Sequence, residues 1–167
     1  MSFLANSACY GEEFGNLIHH NYPGQDYDDL MSGVDEDNLF VTGGSGGGVL
    51  TAWIVGQTDR FTAAAVQKPV INWYSFVLTM DRSPLSHVGN VTTPTMLITG
   101  ESDYRIPMSE TEQFYAGLNL EKVPTAMVRI RDASHGIARR PSNLLSKVGH
   151  ILAWFERHKK TPPVISP

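Results

Sequence analysis

The fold is decided by the stretch from Asn38 to Trp53, NLFVTGGSGGGVLTAW. An apolar, β-prone segment leads into Gly-x-Ser-x-Gly, and a helix-like apolar segment follows at once, which is the strand–turn–helix context of a nucleophile elbow. Because the turn is sharp, Gly43, Gly44 and Gly47 should be needed for their lack of side chains, and Ser45 should adopt a strained backbone conformation. The N–H of Gly46 would then lie at the helix N-terminus, where an oxyanion is stabilised.

Other interpretations of these glycines fit the spacing less well. A Walker loop requires Lys-Ser/Thr after Gly48, where this chain has Val49-Leu50. A dinucleotide-binding fingerprint that starts at Gly44 requires a small residue at position 49. A plain flexible glycine loop is the remaining alternative, so the interpretation of Ser45 as a nucleophile depends on its partners.

Two candidate partners follow predicted strands downstream of Ser45. Asp103 comes after the apolar segment that ends at Gly100, and His135 follows a second such segment. The chain order Ser, Asp, His is that of α/β-hydrolases, and loops at the carboxyl ends of parallel strands converge on one crevice. His135 would then be the general base, and Asp103 would orient its imidazole. Taken singly, each residue is also typical of a solvated loop, and Asp132 is a possible substitute acid.

Several motifs together resemble the catalytic domain of prolyl-oligopeptidase-type serine peptidases, in particular the acylaminoacyl-peptidase and dipeptidyl-peptidase branch. The resemblance covers nearly the whole chain. It implies an α/β-hydrolase fold, a triad of Ser45, Asp103 and His135, and an oxyanion hole formed by the Tyr10 hydroxyl and the Gly46 N–H. The matching segments are YGEEF (10–14), DDL (28–30), GGSGGG (43–48), SPL (83–85), DYRIP (103–107) and SHG (134–136).

The chain also departs from the pattern of that family. Members usually carry Arg-Gly-Ser-x-Gly before the oxyanion tyrosine, whereas this chain has Cys9 beside Tyr10. No β-propeller precedes the domain, and the connections after Val34 and after Met80 are shorter than in relatives. The resemblance therefore implies a family domain that is truncated at its N-terminus and shortened at two internal connections.

Composition limits the class of protein. With 167 residues and 41% hydrophobic content, we expect one globular domain over residues 1–158, with a frayed tail over 159–167. The net charge of −4 argues against a nucleic-acid partner, and we find neither a membrane span nor a signal peptide. A single cysteine fits the cytoplasm. We expect neither a metal nor a cofactor.

Alternating strand and helix patterns predict a mostly parallel, doubly wound sheet of about five strands with helices on both faces. A capping box is predicted at Ser109–Glu112, and the apolar residues of the last helix, from Leu144 to Phe155, are predicted to be core. The predicted strands are Phe3–Asn6, Asn38–Thr42, Phe61–Gln67, Thr95–Thr99 and Thr125–Ile130, and the predicted helices are Asp26–Val34, Gly46–Val55, Ser109–Leu118 and Ser142–His158.

Two functional hypotheses from different classes follow. The first is an active serine hydrolase that acts on esters and small acylated amides or peptides through an acyl-enzyme. The second is a non-catalytic fragment or scaffold whose triad is not assembled in space. In either case, truncation would bare a sheet edge or an apolar face, so we expect a homo-oligomer.

Overall fold

The structure is a computed structural model, and it describes residues 38–73 and 83–160. These residues belong to a compact unit, Glu36–Pro167. The predicted strand Phe3–Asn6, the predicted helix Asp26–Val34 and most of the predicted tail lie outside the described residues. Lys160, at the start of that tail, exchanges two hydrogen bonds with the Asn38 side chain, at 2.7 and 3.2 Å.

Four parallel strands form the sheet within the described residues, in the order β1-β2-β3-β4. Their bounds lie within two residues of the predicted ones, and the parallel α/β class is confirmed. One row of the register joins Val41, Ala64, Thr95 and Thr125 across the sheet. The strands are β1 (Phe40–Gly44), β2 (Ala63–Gln67), β3 (Thr95–Gly100) and β4 (Thr125–Ile130).

Three α-helices alternate with these strands, as the apolar periodicity predicts. They are α1 (Gly46–Ile54), α2 (Met108–Leu120) and α3 (Pro141–His158). Two 3₁₀ segments, Pro84–Asn90 and Ile137–Arg139, lie in the connections before β3 and after β4. None of the helices within residues 38–73 and 83–160 is long and apolar enough to cross a membrane.

The helices cover both faces of the sheet. Because side chains alternate along a strand, successive residues of β2 and β3 enter different clusters. One cluster joins Ala64, Val66 and Leu97 to residues of α1 and α2, including Ala52 and Phe114. The other joins Ala63, Ala65, Met96 and Ile98 to Trp154 of α3. The predicted doubly wound arrangement is therefore confirmed for this part of the chain.

The predicted capping box at the start of α2 is wrong. The N-cap of this helix is Pro107, which has no side-chain oxygen to offer, and Ser109 lies inside the first turn. The buried Glu110 instead binds the loop after β2, where its Oε2 accepts hydrogen bonds from the N–H groups of Ile71 at 2.7 Å and Asn72 at 2.8 Å. Tertiary contact has taken over a residue that local sequence assigned to the cap.

The predicted core face of α3 is also wrong in large part. Trp154 is buried, and Ile151 and Phe155 pack against the cluster beneath it. Four other apolar side chains of the same helix are exposed, because the apolar stripe is wider than its contact with the sheet. They are Leu144 at 41%, Leu145 at 74%, Val148 at 40% and Leu152 at 62% exposure.

Candidate active site

Ser45 occupies the sharp turn between β1 and α1. Its backbone has φ 59° and ψ −120°, a conformation that costs energy for a residue with a side chain. The surrounding backbone holds it in place: the Ser45 N–H donates to the Gln67 carbonyl at 3.1 Å, and the Ser45 carbonyl accepts from the N–H of Gly48 at 2.8 Å. The strain predicted at this serine is present, and hydrogen bonds to β2 and α1 oppose its relaxation.

Close backbone approach requires two of the glycines around Ser45. A Cβ built on Gly43 would lie 2.2 Å from the Gly47 carbonyl oxygen, and one on Gly48 would lie 2.4 Å from the Gln67 carbonyl oxygen. By contrast, a Cβ on Gly44 would come no nearer than 3.4 Å to Lys68, and one on Gly47 would meet nothing within 4 Å. The prediction for Gly43 fits this geometry, that for Gly44 and Gly47 does not, and Gly48 is an additional requirement.

Ser45, His135 and Asp103 form one chain of hydrogen bonds. The Ser45 Oγ lies 3.0 Å from His135 Nε2, and His135 Nδ1 lies 2.8 Å from Asp103 Oδ2. With the imidazole proton on Nδ1, that nitrogen donates to the carboxylate and Nε2 accepts from the serine hydroxyl. The structure thus brings together three residues separated by 58 and 32 positions in the chain.

Asp103 is held more rigidly than any single contact with His135 would require. The residue is 3% exposed, and its Oδ1 accepts hydrogen bonds from the N–H groups of Arg105 at 3.1 Å and Ile106 at 3.0 Å. Backbone donors stabilise a buried carboxylate in its charged form. One carboxylate oxygen is therefore fixed by its own loop, and the other is directed at the imidazole.

The loops that carry Asp103 and His135 are joined directly. The Ser102 N–H donates to the Ala133 carbonyl at 3.0 Å, and a Cβ on Gly100 would lie 2.2 Å from the same carbonyl oxygen. Asp132, the substitute acid left open by the sequence, points elsewhere. Its side chain is 73% exposed and lies 4.0 Å from Arg131. Of the two acids, Asp103 is the one that contacts the histidine.

Lys68, which the sequence analysis did not single out, ties the end of β2 to the histidine loop. Its Nζ donates to the His135 carbonyl at 2.6 Å, and its N–H donates to the Ile98 carbonyl at 2.7 Å. Burial lowers the pKa of the Lys68 ammonium below its ordinary value of 10.5, and Asp103 opposes that shift. A lysine directly after a strand resembles a solvated strand end, so no sequence signal distinguishes it.

This geometry can perform nucleophilic chemistry on a carbonyl. A serine hydroxyl that donates to a neutral imidazole, itself oriented by a carboxylate, can be deprotonated as it attacks. Gly46 is the first residue of α1, where a developing oxyanion is favoured. Tyr10, the other predicted oxyanion donor, lies outside the described residues. In the part of the chain that the structure describes, no three His, Cys, Asp or Glu side chains cluster as metal ligands would.

Comparison with known proteins gives the same family from sequence and from fold. The model of the prolyl oligopeptidase family matches residues 5–82 and 78–161. The chain is 37% identical to the uncharacterized peptidase YuxL of Bacillus subtilis, over 89% of this chain. It is 28% identical to acylamino-acid-releasing enzyme 1 of Oryza sativa subsp. japonica, over 91% of this chain. It spans 28% and 25% of the lengths of these two relatives.

Solved structures share the fold at lower identity. The acylaminoacyl peptidase of Pyrococcus horikoshii matches with a TM-score of 0.85 and 23% identity, over 98% of this chain and 32% of that one. A puromycin-hydrolyzing peptidase of Mycobacterium tuberculosis matches with a TM-score of 0.86 and 23% identity, over 96% of this chain and 29% of that one. With the elbow, the loop positions and the family match in agreement, the chain belongs to the prolyl oligopeptidase family.

Proposed function

We propose that this chain is the catalytic part of a serine hydrolase that acts on carboxylic esters and on small acylated amides or peptides. Ser45 is the nucleophile, His135 the general base and acid, and Asp103 the group that orients and stabilises the imidazolium. The observation that carries the proposal is the hydrogen-bond chain from Ser45 Oγ through His135 to Asp103, at 3.0 and 2.8 Å.

The reaction proceeds in two halves. Ser45 Oγ attacks the carbonyl carbon while His135 Nε2 takes its proton, and the Gly46 N–H and the Tyr10 hydroxyl stabilise the oxyanion. His135 then protonates the leaving alcohol or amine, and an acyl-Ser45 ester remains. Water attacks this ester with His135 again as base, which releases the carboxylic acid and regenerates the serine hydroxyl.

The names of the relatives support amides as well as esters. The rice relative is named an acylamino-acid-releasing enzyme, and the mycobacterial structure a puromycin-hydrolyzing peptidase. Esters need less protonation of the leaving group than amides, so they should be the easier substrates for this chain. We therefore expect p-nitrophenyl acetate to be hydrolysed faster than an N-acetyl amino acid p-nitroanilide.

Labelling with a fluorophosphonate tests the proposal directly, because the probe reacts with an activated serine. The parent chain should be labelled at Ser45, and Ser45→Ala should lose both the label and ester hydrolysis. Ser146→Ala is the matched control, since that serine is exposed on α3. If the folded parent is not labelled and hydrolyses neither substrate, the chain is a non-catalytic scaffold of the family.

We also infer that the protein functions in the cytoplasm and forms a homo-oligomer. The single cysteine supports a reducing compartment. The exposed apolar stripe of α3, formed by Leu144, Leu145, Val148 and Leu152, supports association with a second copy. Light scattering coupled to size exclusion should give a mass above 18.4 kDa, and Leu145→Glu with Leu152→Glu should reduce it to that of one chain. A parent that stays at one chain at high concentration would contradict the oligomer.

A further inference from the structure

A cavity of about 320 Å³ borders the loop that carries His135. It lies at the end of β2, beside the residues that hold the triad. The Gln67 carbonyl accepts from the Ser45 N–H, and Lys68 Nζ donates to the His135 carbonyl. We call it the cationic cavity, and its lining residues are Gln67, Lys68, Gly136, Ile137, Ala138, Arg139 and Lys147.

The cationic cavity has an excess of positive charge. Three lining residues are basic and none is acidic, in a chain whose net charge is −4. Neither Arg139 nor Lys147 forms an ion pair with a carboxylate of residues 38–73 or 83–160. The charge of Lys147 reaches Lys68, where it adds to the lowering of the lysine pKa. An anion in the cavity would offset this mutual repulsion.

Asp103 does not neutralise the cavity. Its carboxylate acts on Lys68 in the opposite direction to Lys147, but its two oxygens are already occupied. Oδ2 lies 2.8 Å from His135 Nδ1, and Oδ1 accepts from the backbone N–H groups of Arg105 and Ile106. The basic groups of the cavity are therefore available to a ligand that enters from solvent.

The walls between the basic groups are apolar. Ile137 is buried and Ala138 is small, and both line the space. The Arg139 side chain lies over Gly136, since a Cβ built there would come within 2.7 Å of Arg139 Nε. Cationic groups set among short hydrocarbon walls suit a carboxylate on a small aliphatic or aromatic body, because a carboxylate accepts charge-assisted hydrogen bonds from arginine and lysine.

The position of the cavity indicates which part of a substrate would reach it. His135 Nε2 must protonate the leaving group, so that group lies against the imidazole during acylation. Residues 136–139 follow His135 directly and form one wall of the cavity. We propose that the cationic cavity binds a carboxylate carried by the leaving group of the substrate. This inference rests on the proposed hydrolase function and specifies its substrates as those with an acidic leaving group.

A pair of esters tests this subsite. 4-Acetoxybenzoate and methyl 4-acetoxybenzoate both transfer an acetyl group and release a phenol, and they differ in one negative charge. The ratio of their kcat/KM values should fall about three- to tenfold in Lys147→Gln and in Arg139→Gln, the range expected for loss of one charge-assisted contact. Arg140→Gln is the matched control, because Arg140 is a neighbouring exposed cation outside the cavity lining. Added salt should lower the ratio in the parent.

Binding of the released product separates failure of the subsite from failure of catalysis. In Ser45→Ala, calorimetry should show tighter binding of 4-hydroxybenzoate than of its methyl ester, and Lys147→Gln should remove the difference. If neither ester is hydrolysed but this preference holds, the hydrolase proposal fails and the carboxylate site stands. If the ester ratio and the binding preference are the same in the parent, Lys147→Gln, Arg139→Gln and Arg140→Gln, the subsite is overturned.

Discussion

The helix that begins after Ser45 and the last helix of the chain are both apolar, yet they are held very differently. In α1, six of nine residues are buried: Gly48, Val49, Leu50, Thr51, Ala52 and Ile54. In α3, only Trp154 of eighteen residues is buried. The backbone of α1 is fixed where it leaves the sheet, whereas α3 contacts the sheet through a narrow stripe. Apolar periodicity predicts that a helix exists, but it does not predict how much of the helix is covered.

This comparison bears on function, because the tightly held region is the one that carries the candidate site. α1 starts at the nucleophile elbow, and the loops after β3 and β4 close on the same end of the sheet. Substitutions around this end should affect activity strongly. Substitutions on the outer face of α3 should have small effects on stability. Four experiments would break or sharpen the contrast.

The largest effect is expected at Asp103. Asp103→Asn should lower kcat by about a thousand- to ten-thousandfold, because an amide can hold the imidazole with its proton on Nε2, where it cannot accept from Ser45. Steady-state hydrolysis of p-nitrophenyl acetate measures this. Asp132→Asn is the matched control, since Asp132 lies on the histidine loop but is exposed. Equal losses in the two variants would contradict the assignment of Asp103.

The second test lies within α3 itself. Trp154→Ala should lower the free energy of unfolding by about 3–5 kcal/mol, because it leaves a cavity against Ala65 and Ile98. Leu145→Ala should change it by less than about 0.5 kcal/mol, since that side chain is 74% exposed. Urea denaturation followed by circular dichroism provides both values. A comparable loss in Leu145→Ala would mean that the outer stripe of α3 is covered in solution.

The third test compares two neighbouring glycines of α1. Gly48→Ala should destabilise the protein by about 1–3 kcal/mol, since the new methyl group would clash with the Gln67 carbonyl 2.4 Å away. Gly47→Ala should be stabilising by about 0.5–1 kcal/mol, because its Cβ meets nothing within 4 Å and alanine is the better helix former. Thermal unfolding of the two variants beside the parent decides this. Equal shifts in Tm would show that backbone approach does not fix α1.

The smallest effect concerns the pH dependence of α3. Burial lowers the pKa of His158 below its ordinary value of 6.5, and Arg157 adds to this effect. The unfolded chain therefore takes up a proton first as the pH falls below 6.5, and the free energy of unfolding should decrease there. His158→Gln should flatten this decrease in denaturation curves at pH 5 and pH 7. The same substitution at His150, exposed on the same helix, is the matched control, and an unchanged slope in His158→Gln would contradict the prediction.

Much of the fold and of the candidate site could be predicted from local patterns. The four described strands and three helices follow from apolar periodicity and glycine turns, and the loop positions of Ser45, Asp103 and His135 follow from strand ends. These predictions hold because a parallel sheet gathers its carboxyl-end loops at one edge. Lys68 could not be predicted in this way, because its bond to the His135 carbonyl joins residues 67 positions apart.

The sequence by itself determined the order of elements, the elbow and the family, since each depends on residues that are close neighbours in the chain. Only the tertiary structure decided which acid meets His135, which glycines are required, and which apolar residues of α3 are covered. Those outcomes depend on distances between segments far apart in sequence, such as the 2.8 Å between His135 and Asp103. Local propensity and periodicity carry no information about such distances, because only packing sets them.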